Sequence, residues 1–477
     1  EVAAPAAEAS RPALRNQAFA APRDRTGFDV DRYALACLRI AFFLPLTAML
    51  RLDVRKAVHL AEVIAENFPV PHDLLDETVR TILGPDGTAT TDSLSVRVGA
   101  DDQKYPLIDF DPDDWPGLRD RLARAIEISA TPHREDRLFP GDIEQFRPGG
   151  GVNLAYGAAG VLWTLRGAGV PTDPEHERWL IDRARNPVSG SRLGFYDGLH
   201  GVAYALHQLG HTDEAVRLLD RCLDEPWTGL NNDLTSGLSG VALNLAYFAG
   251  VTGERRYRDA ARRAVELVVE RLGPEDSVAE VSGGRHPYAG LTRGGAGTAL
   301  MLLRHYELTG DSALLDHAAT ALCQDLRRCV VRDEGTMEVN EGWRTMPYLA
   351  HGSVGIGLVL DQYLTHRPDD RFRAASEAIR RCAESPFYAQ SGLFAGRSGI
   401  IAYLAERGDH DEMHRQARIL GWHAMPYEGV LAFPGEQLLR LSMDLATGTA
   451  GVLFALAATR PDDPLRLPFL APLPALP

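Results

Sequence analysis

The sequence predicts an all-α protein in which seven buried helices alternate with amphipathic ones, and three observations lead there. First, a short phrase recurs between residues 157 and 456: Gly-x-x-Gly, a mostly β-branched residue, then Leu five positions after the second glycine. The copies are GAAGVLWTL from Gly157, GLHGVAYAL from Gly198, GLSGVALNL from Gly237, GGAGTALML from Gly294, GSVGIGLVL from Gly352, GRSGIIAYL from Gly396 and GTAGVLFAL from Gly448. Second, the run after each phrase is apolar on nearly every side, so a helix there must be buried. Third, the intervening segments, such as 213–224 and 256–272, carry charge on one face, as an outer solvated ring requires. Repetition at this period marks an array of stacked units. Seven inner and seven outer helices can close into an α/α barrel with the glycine turns at one end. An open helical solenoid, in which the glycines only shorten loops, fits the same periodicity. The closed barrel, spanning 146–470, is the expectation carried forward.

The chain has 477 residues, room for two or three domains. Its formal net charge is -15 and no Lys/Arg cluster stands out, which argues against a nucleic-acid partner. The five cysteines, Cys37, Cys222, Cys323, Cys329 and Cys382, lack CxxC spacing and are odd in number. That usage fits a reduced, cytoplasmic setting. A start at Glu1 reads as a fragment, and the Ala-rich residues 1–9 lack the basic start and apolar core of a signal peptide. The most apolar stretch, Tyr33–Leu50, contains Arg39 and Pro45 and is short for a membrane span. It is expected as a buried helix, and no membrane partner is expected.

Several phrases resemble the lanthionine cyclase family, in particular the cyclase domain of class III lanthipeptide synthetases. They are DRLFPGD (136–142), YGAAGVLWTL, GFYDGLHGVAYAL, GLTRGGAGTALMLL, EGWRTMPYLAHGSVGIGLVL and SGLFAGRSGI. The resemblance covers residues 146–460 and implies a seven-fold α/α toroid. It also implies an enzyme acting on a ribosomal precursor peptide. In that family a kinase phosphorylates Ser/Thr, a lyase eliminates phosphate to leave dehydroamino acids, and the cyclase domain adds Cys thiols to them. The products are lanthionine or labionin rings. The implied partners are the precursor peptide and the N-terminal lyase and kinase parts of the same enzyme. ATP and Mg serve the kinase of the full-length protein, and no cofactor is expected in this chain.

Residues 1–85 resemble part of a protein-kinase C-lobe. The segment QAFAAPRDRTGFDVDRYALACLRIAFFLPLT resembles the end of an activation segment and the long helix after it. Ala21-Pro22-Arg23 stands where kinases carry Ala-Pro-Glu, and Asp31 stands at the start of the helix. Arg23 in place of Glu removes the usual Glu-mediated brace. An Asp that caps an apolar helix is the competing reading of Asp31. No Gly-rich loop, strand Lys, HRD-type loop or DFG occurs in 1–85. A kinase needs those parts for ATP, Mg²⁺ and its base, so phosphorylation is not expected from this chain alone. Residues 86–145 are expected to be a connecting segment.

The implied chemistry needs a thiolate and a stabilised enolate. Zinc supplies the first in metal-dependent members through Cys, Cys and His ligands. At the matching positions this chain has Ala350, Phe394 and Ala395, and the family's His before the fourth Gly-x-x-Gly is Arg293. No metal is therefore expected. Cys323, Cys329 and Cys382 are read as buried residues of outer helices. Candidates for a metal-free centre are His351 and His200 as proton relays, Asp233 as a match to a family Asp, and Arg293 as a cation for the enolate. Tyr348 and Arg397 are further polar groups near the same turns. His351, His200, Asp233 and Arg293 are expected in one cavity at the glycine end. For each residue alone, a helix-end hydrogen bond or a solvated loop side chain competes with a catalytic role. Two other functions fit the sequence. One is a degenerate barrel that docks the peptide or scaffolds the kinase. The other is a glycoside-processing barrel using Asp197 and Asp233, which would need two carboxylates about 5–10 Å apart across a pocket.

Overall fold

The computed structural model describes residues 16–84, 108 and 110–475. Residues 1–15, with the Ala-rich start, lie outside the described part, as do 85–107, 109 and 476–477.

The chain opens with three helices, α1 (Phe28–Ala41), α2 (Lys56–Asn67) and α3 (His72–Leu83). They enclose a small core of their own around Tyr33, Cys37, Ile40, Leu60 and Ile64. The stretch Tyr33–Leu50, expected as one buried helix, is two pieces. Helix α1 stops at Ala41, and a 3-10 segment follows at Thr47–Arg51. Pro45 lies between them and cannot donate an amide to a continuing helix. Among the described residues no helix is long and apolar enough to cross a membrane. This lobe docks on the rest of the chain through Met425 and Leu438, which enter its core. Fully buried Lys56 also donates from Nζ to the Ala424 carbonyl at 2.6 Å.

The remaining helices form two concentric rings. The inner ring is α5 (Ala158–Gly167), α7 (Leu199–Gln208), α9 (Leu238–Thr252), α11 (Gly295–Thr309), α13 (Ser353–Leu364), α15 (Arg397–Arg407) and α17 (Thr449–Ala458). Each begins at the residue after the first glycine of a phrase. The repeated leucines Leu165, Leu206, Leu245, Leu302, Leu360, Leu404 and Leu456 are all buried. Each inner helix packs on the next, and α17 packs back on α5, so the ring is closed. The outer ring is α6 (Pro174–Arg185), α8 (Thr212–Asp224), α10 (Arg255–Leu272), α12 (Ala313–Leu326), α14 (Asp370–Cys382) and α16 (His410–Leu420), each against the inner helix before it. The seventh outer position, against α17, is filled by α4 (Trp115–Ile128). The barrel therefore begins upstream of residue 146. Leu118, Leu122 and Ile126, in the segment expected only to connect, belong to the barrel core.

A belt of backbone hydrogen bonds rules out the open solenoid. The residue two before each first glycine donates its amide to the equivalent residue of the next repeat. Ala155 bonds to Tyr196, Tyr196 to Thr235, Thr235 to Thr292, Thr292 to Ala350, Ala350 to Phe394, Phe394 to Ala446 and Ala446 to Ala155, all at 2.8–3.0 Å. All seven glycine turns consequently lie at one end. The second glycine of each phrase is required by close approach, not by a left-handed backbone. A Cβ on Gly201 would stand 1.8 Å from the Phe195 carbonyl oxygen and 2.8 Å from Leu154 Cβ of the preceding repeat. Gly160 meets Leu154 O at 1.8 Å and Leu445 Cβ of the seventh repeat at 3.1 Å.

Two small antiparallel sheets interrupt the helices and were not expected. One comprises β1 (Cys329–Val331), β2 (Met337–Asn340) and β3 (Thr345–Met346); the other comprises β4 (Met425–Tyr427), β5 (Val430–Pro434) and β6 (Leu441–Ser442). Each lies between an outer helix and the next inner helix, so both rise at the glycine end. Cys329 starts β1 and does not lie on an outer helix, whereas Cys323 and Cys382 do. The opposite end is closed by the segment after α17. Phe469 packs on Phe195 at 4.6 Å and on Tyr204 at 5.5 Å. Buried Arg304 fixes this segment by donating to the carbonyls of Phe469 and Leu470 at 2.8 and 2.7 Å.

Candidate active site at the glycine end of the barrel

The belt sorts side chains by their distance from the glycine. At the belt position every residue is buried. Two of these side chains, Tyr196 of repeat two and Phe394 of repeat six, meet edge-on at 5.2 Å across the axis. They form the floor of a basin. One residue later, directly before the glycine, the chain returns toward solvent. That position carries Tyr156, Asp197, Ser236, Arg293, His351, Ala395 and Thr447. Six of the seven are partly or fully exposed; Asp197 alone is buried.

Arg293 is the exposed centre of this ring. Its guanidinium is close enough to influence the protonation of Tyr156, Asp233 and His351 together. His351 stacks on Tyr288, with ring centroids 4.4 Å apart and planes 17° apart. Burial, and then Arg293, push its imidazole down to about 4. The ring is neutral at pH 7. A folded value below the unfolded one means that the unfolded chain binds the proton more readily. The stability contribution is therefore complete above about pH 6.5 and is lost as pH falls toward 4. Removing the neighbouring cation by Arg293→Ala should raise the His351 value, read as an upward shift in its ring-proton NMR titration; an unchanged titration would separate the two groups.

Asp233 is buried, and its Oδ1 accepts from the Ser236 amide at 2.6 Å. Burial raises its carboxyl above the ordinary range. Asn153 and Asp444, at the same place in repeats one and seven, cap their turns likewise at 2.8 and 2.7 Å. The Asp233 carboxylate thus holds its own turn as well as facing Arg293. Asp444 is fully buried, raised to about 6 by burial, and also accepts from the Asp142 amide at 3.0 Å. That bond ties the DRLFPGD phrase to the seventh repeat.

His200 is not in the basin. It lies inside α7, fully buried, with Nδ1 3.1 Å from Asn244 Nδ2, and burial pushes it down to about 3. Arg397, also fully buried, points to the outer ring. It bonds to Gln416, donates to the Pro386 carbonyl at 3.0 Å and lies over Tyr388 at 5.0 Å. Tyr348 sits between the two groups, with its ring 6.1 Å from Tyr388. The physical reason is helical geometry: residues after the first glycine are in the helix and enter the wall, whereas residues before it reach the opening. Sequence reasoning missed Tyr156, Tyr288 and Asp444. Tyr156 was detectable because it shares the place of Arg293 and His351.

Residues 228–342 match the family model described as "Lanthionine synthetase C-like protein". The chain carries a lanthionine synthetase C-like segment. Over 495 aligned positions, covering 98% of this chain, it is 48% identical to the "Probable SapB synthase" of Streptomyces coelicolor. The chain spans about half of that relative, 53% of its length. Among solved structures it is similar to "Nisin cyclase", with 13% identity, 72% of this chain and 94% of that chain covered, and a TM-score of 0.46. It is also similar to a GH76 α-mannanase of Bacteroides thetaiotaomicron, with 12% identity, 73% and 98% covered, and a TM-score of 0.38.

The positions matched to the zinc ligands of metal-dependent lanthionine cyclases do not fit a metal. Ala350 and Phe394 are belt residues, the Phe394 ring fills the floor, and Ala395 follows it. None offers a donor atom, and no group of three or more His, Cys, Asp or Glu gathers to hold a metal among the described residues. Asp197, a carboxylate of the glycoside reading, accepts through Oδ2 from Arg192 at 2.6 Å and from Ser236 at 2.7 Å, while its buried Oδ1 has no partner among the described residues.

Proposed function

We propose that this chain is the C-terminal portion of a class III lanthionine synthetase, acting in the cytoplasm on a ribosomal precursor peptide. Its barrel adds Cys thiols to dehydroalanine or dehydrobutyrine without zinc, giving lanthionine or labionin rings. The observation that carries this reading is the placement of Arg293 and His351 on adjacent turns at the open end of the toroid, where the residues before them, Thr292 and Ala350, are hydrogen-bonded at 3.0 Å. The peptide thiol gives its proton to the neutral His351 ring as sulfur bonds to the β-carbon of the dehydroamino acid. The π electrons move onto the carbonyl oxygen, where the Arg293 guanidinium stabilises the enolate. Imidazolium beside a guanidinium is a strong acid, so it returns the proton to the α-carbon and regenerates neutral His351. The same low basicity makes His351 a weak base toward a thiol. That favours one alternative, a non-catalytic barrel that docks the peptide or scaffolds the kinase.

The test supplies an already dehydrated, phosphate-free peptide and counts rings by thiol alkylation and mass spectrometry. We expect acceleration over the uncatalysed rate, and a loss of about 100-fold for either His351→Ala or Arg293→Ala. Acceleration that survives both changes would remove these roles, and no acceleration by the parent would establish the docking alternative.

Helices α1–α3 are read as part of the kinase C-lobe of the full-length enzyme, whose ATP and Mg site lies elsewhere. An apolar face along α1 and its C-cap, left uncovered by the other described residues, supports this. Phe28 is 68% and Phe42 78% exposed, with Leu35 and Leu38 between them. A face of that kind marks a surface that another domain covers.

A further inference from the structure

A cyclase must accommodate the peptide on both sides of its reacting residues. The basin has a floor of Tyr196 and Phe394, and the far end is closed around Phe469. The peptide chain must therefore enter and leave across the glycine-end rim. That rim is uneven. Two of its connections carry the sheets β1–β3 and β4–β6, and the 129–157 and 273–294 connections are long. The two shortest, 186–198 and 225–237, are neighbours. Between them lies a groove of about 810 Å³.

The groove reaches the ring of turns at Ser236. Ser236 lines it and stands in the ring that carries Arg293 and His351; Arg192 lines it and bonds to Asp197 of that ring. One wall is apolar, from Leu193 and Leu230, with Val188 at the lip 61% exposed. Arg221 and Glu225 both line the groove; Arg221 is exposed and forms no ion pair with any described residue, so with Arg192 the groove carries two guanidiniums against one carboxylate. An uncommitted guanidinium beside an apolar wall is complementary to an extended chain that carries an apolar side chain and a carboxylate.

We propose that this groove holds an extended, acidic stretch of the peptide substrate while its reacting residues occupy the basin, with a peptide carboxylate on Arg221. The inference rests on the cyclase reading for its occupant, but its test does not depend on ring formation. The probe is a fluorescein-labelled peptide with one dehydroalanine, serine in place of cysteine, and a Leu-Glu pair, so that no ring can form. Anisotropy titration of the full chain should show binding weakened about tenfold or more by Arg221→Glu and preserved by Arg221→Lys. Replacing the peptide Glu by Gln should weaken binding to the parent and remove the difference between the parent and Arg221→Glu. Arg258→Glu, on an outer helix away from the rim, is the charge control and should bind as the parent does. Equal affinity of the parent and Arg221→Glu overturns the groove, even if ring formation depends on His351. Loss of affinity in Arg221→Glu with the Glu peptide alone sustains the groove, even if the His351 and Arg293 variants cyclise normally and the catalytic reading falls.

Discussion

Gly201→Ala is expected to prevent the barrel from folding. The added methyl would lie 1.8 Å from the Phe195 carbonyl and 2.8 Å from Leu154 Cβ. Neither neighbour can yield: the first is backbone in the turn that feeds the belt, and the second is a core side chain with no exposed surface. Relief requires α7 to move off its neighbour, which breaks the Ala155–Tyr196 bond and the closed ring with it. The cost should exceed about 4–5 kcal/mol, the range in which single substitutions signal a specific structural failure. Gly229→Ala is the matched control, because nothing lies within 4 Å of its added methyl, and it should change stability by less than about 0.5 kcal/mol. Urea denaturation followed by far-UV circular dichroism reads both. A Gly201→Ala protein with a parental midpoint would show that the glycine phrase is not set by this close approach.

Arg304→Met is the second substitution with a large expected effect. Arg304 is 1% exposed, yet it pairs with Glu307 and donates to Phe469 O and Leu470 O. Met matches much of its bulk but leaves Glu307 with only His366, 2.9 Å away, and takes the Arg304 donor from three carbonyl oxygens, those of Phe469, Leu470 and the Gln362 side chain. Breaking one side of a buried ion pair costs about 3–5 kcal/mol. The closing segment should also detach, so trypsin should cut at Arg466 in the variant under conditions that spare the parent. Arg304→Met combined with Glu307→Gln should recover part of the loss, because no unpaired charge is then left behind. Parental stability together with a protected Arg466 would mean that apolar packing around Phe469 holds the segment unaided.

The inner ring was legible because its signal is redundant. Each helix announces itself through two glycines and a leucine, and burial on all sides leaves no polar face to blur the pattern. The closed barrel was expected from the repeat, but the belt that closes it was not legible, because backbone amides carry it, with only the Thr235 and Thr292 hydroxyls adding to it. Its positions hold Ala155, Tyr196, Thr235, Thr292, Ala350, Phe394 and Ala446, with no chemistry shared by all seven. The sheets escaped because their strands run from two to five residues, too short for an alternating pattern to rise above loop composition. Helix α4 escaped because it has no phrase of its own and comes ahead of the repeats, although it completes the seventh pair. Arg293 stands in the ring of turns near enough to act on the protonation of both His351 and Asp233, while His200 and Arg397 are drawn into the walls. Proximity to a glycine turn in sequence did not distinguish the two sides of the helix start.

The belt also dictates an order of assembly. In an open solenoid each unit needs only its neighbours, so a nascent chain can consolidate as it lengthens. Here the first repeat is bonded to the last, across nearly the whole barrel sequence, and such distant pairings form late and slowly. While the chain is being synthesised, six repeats must stand as an arc whose two rims, the Ala155 carbonyl and the Phe394 amide, have no partner until Ala446 arrives between them. The interval just before the seventh repeat leaves the ribosome is thus when the growing protein has most apolar surface to offer to chaperones or to other chains.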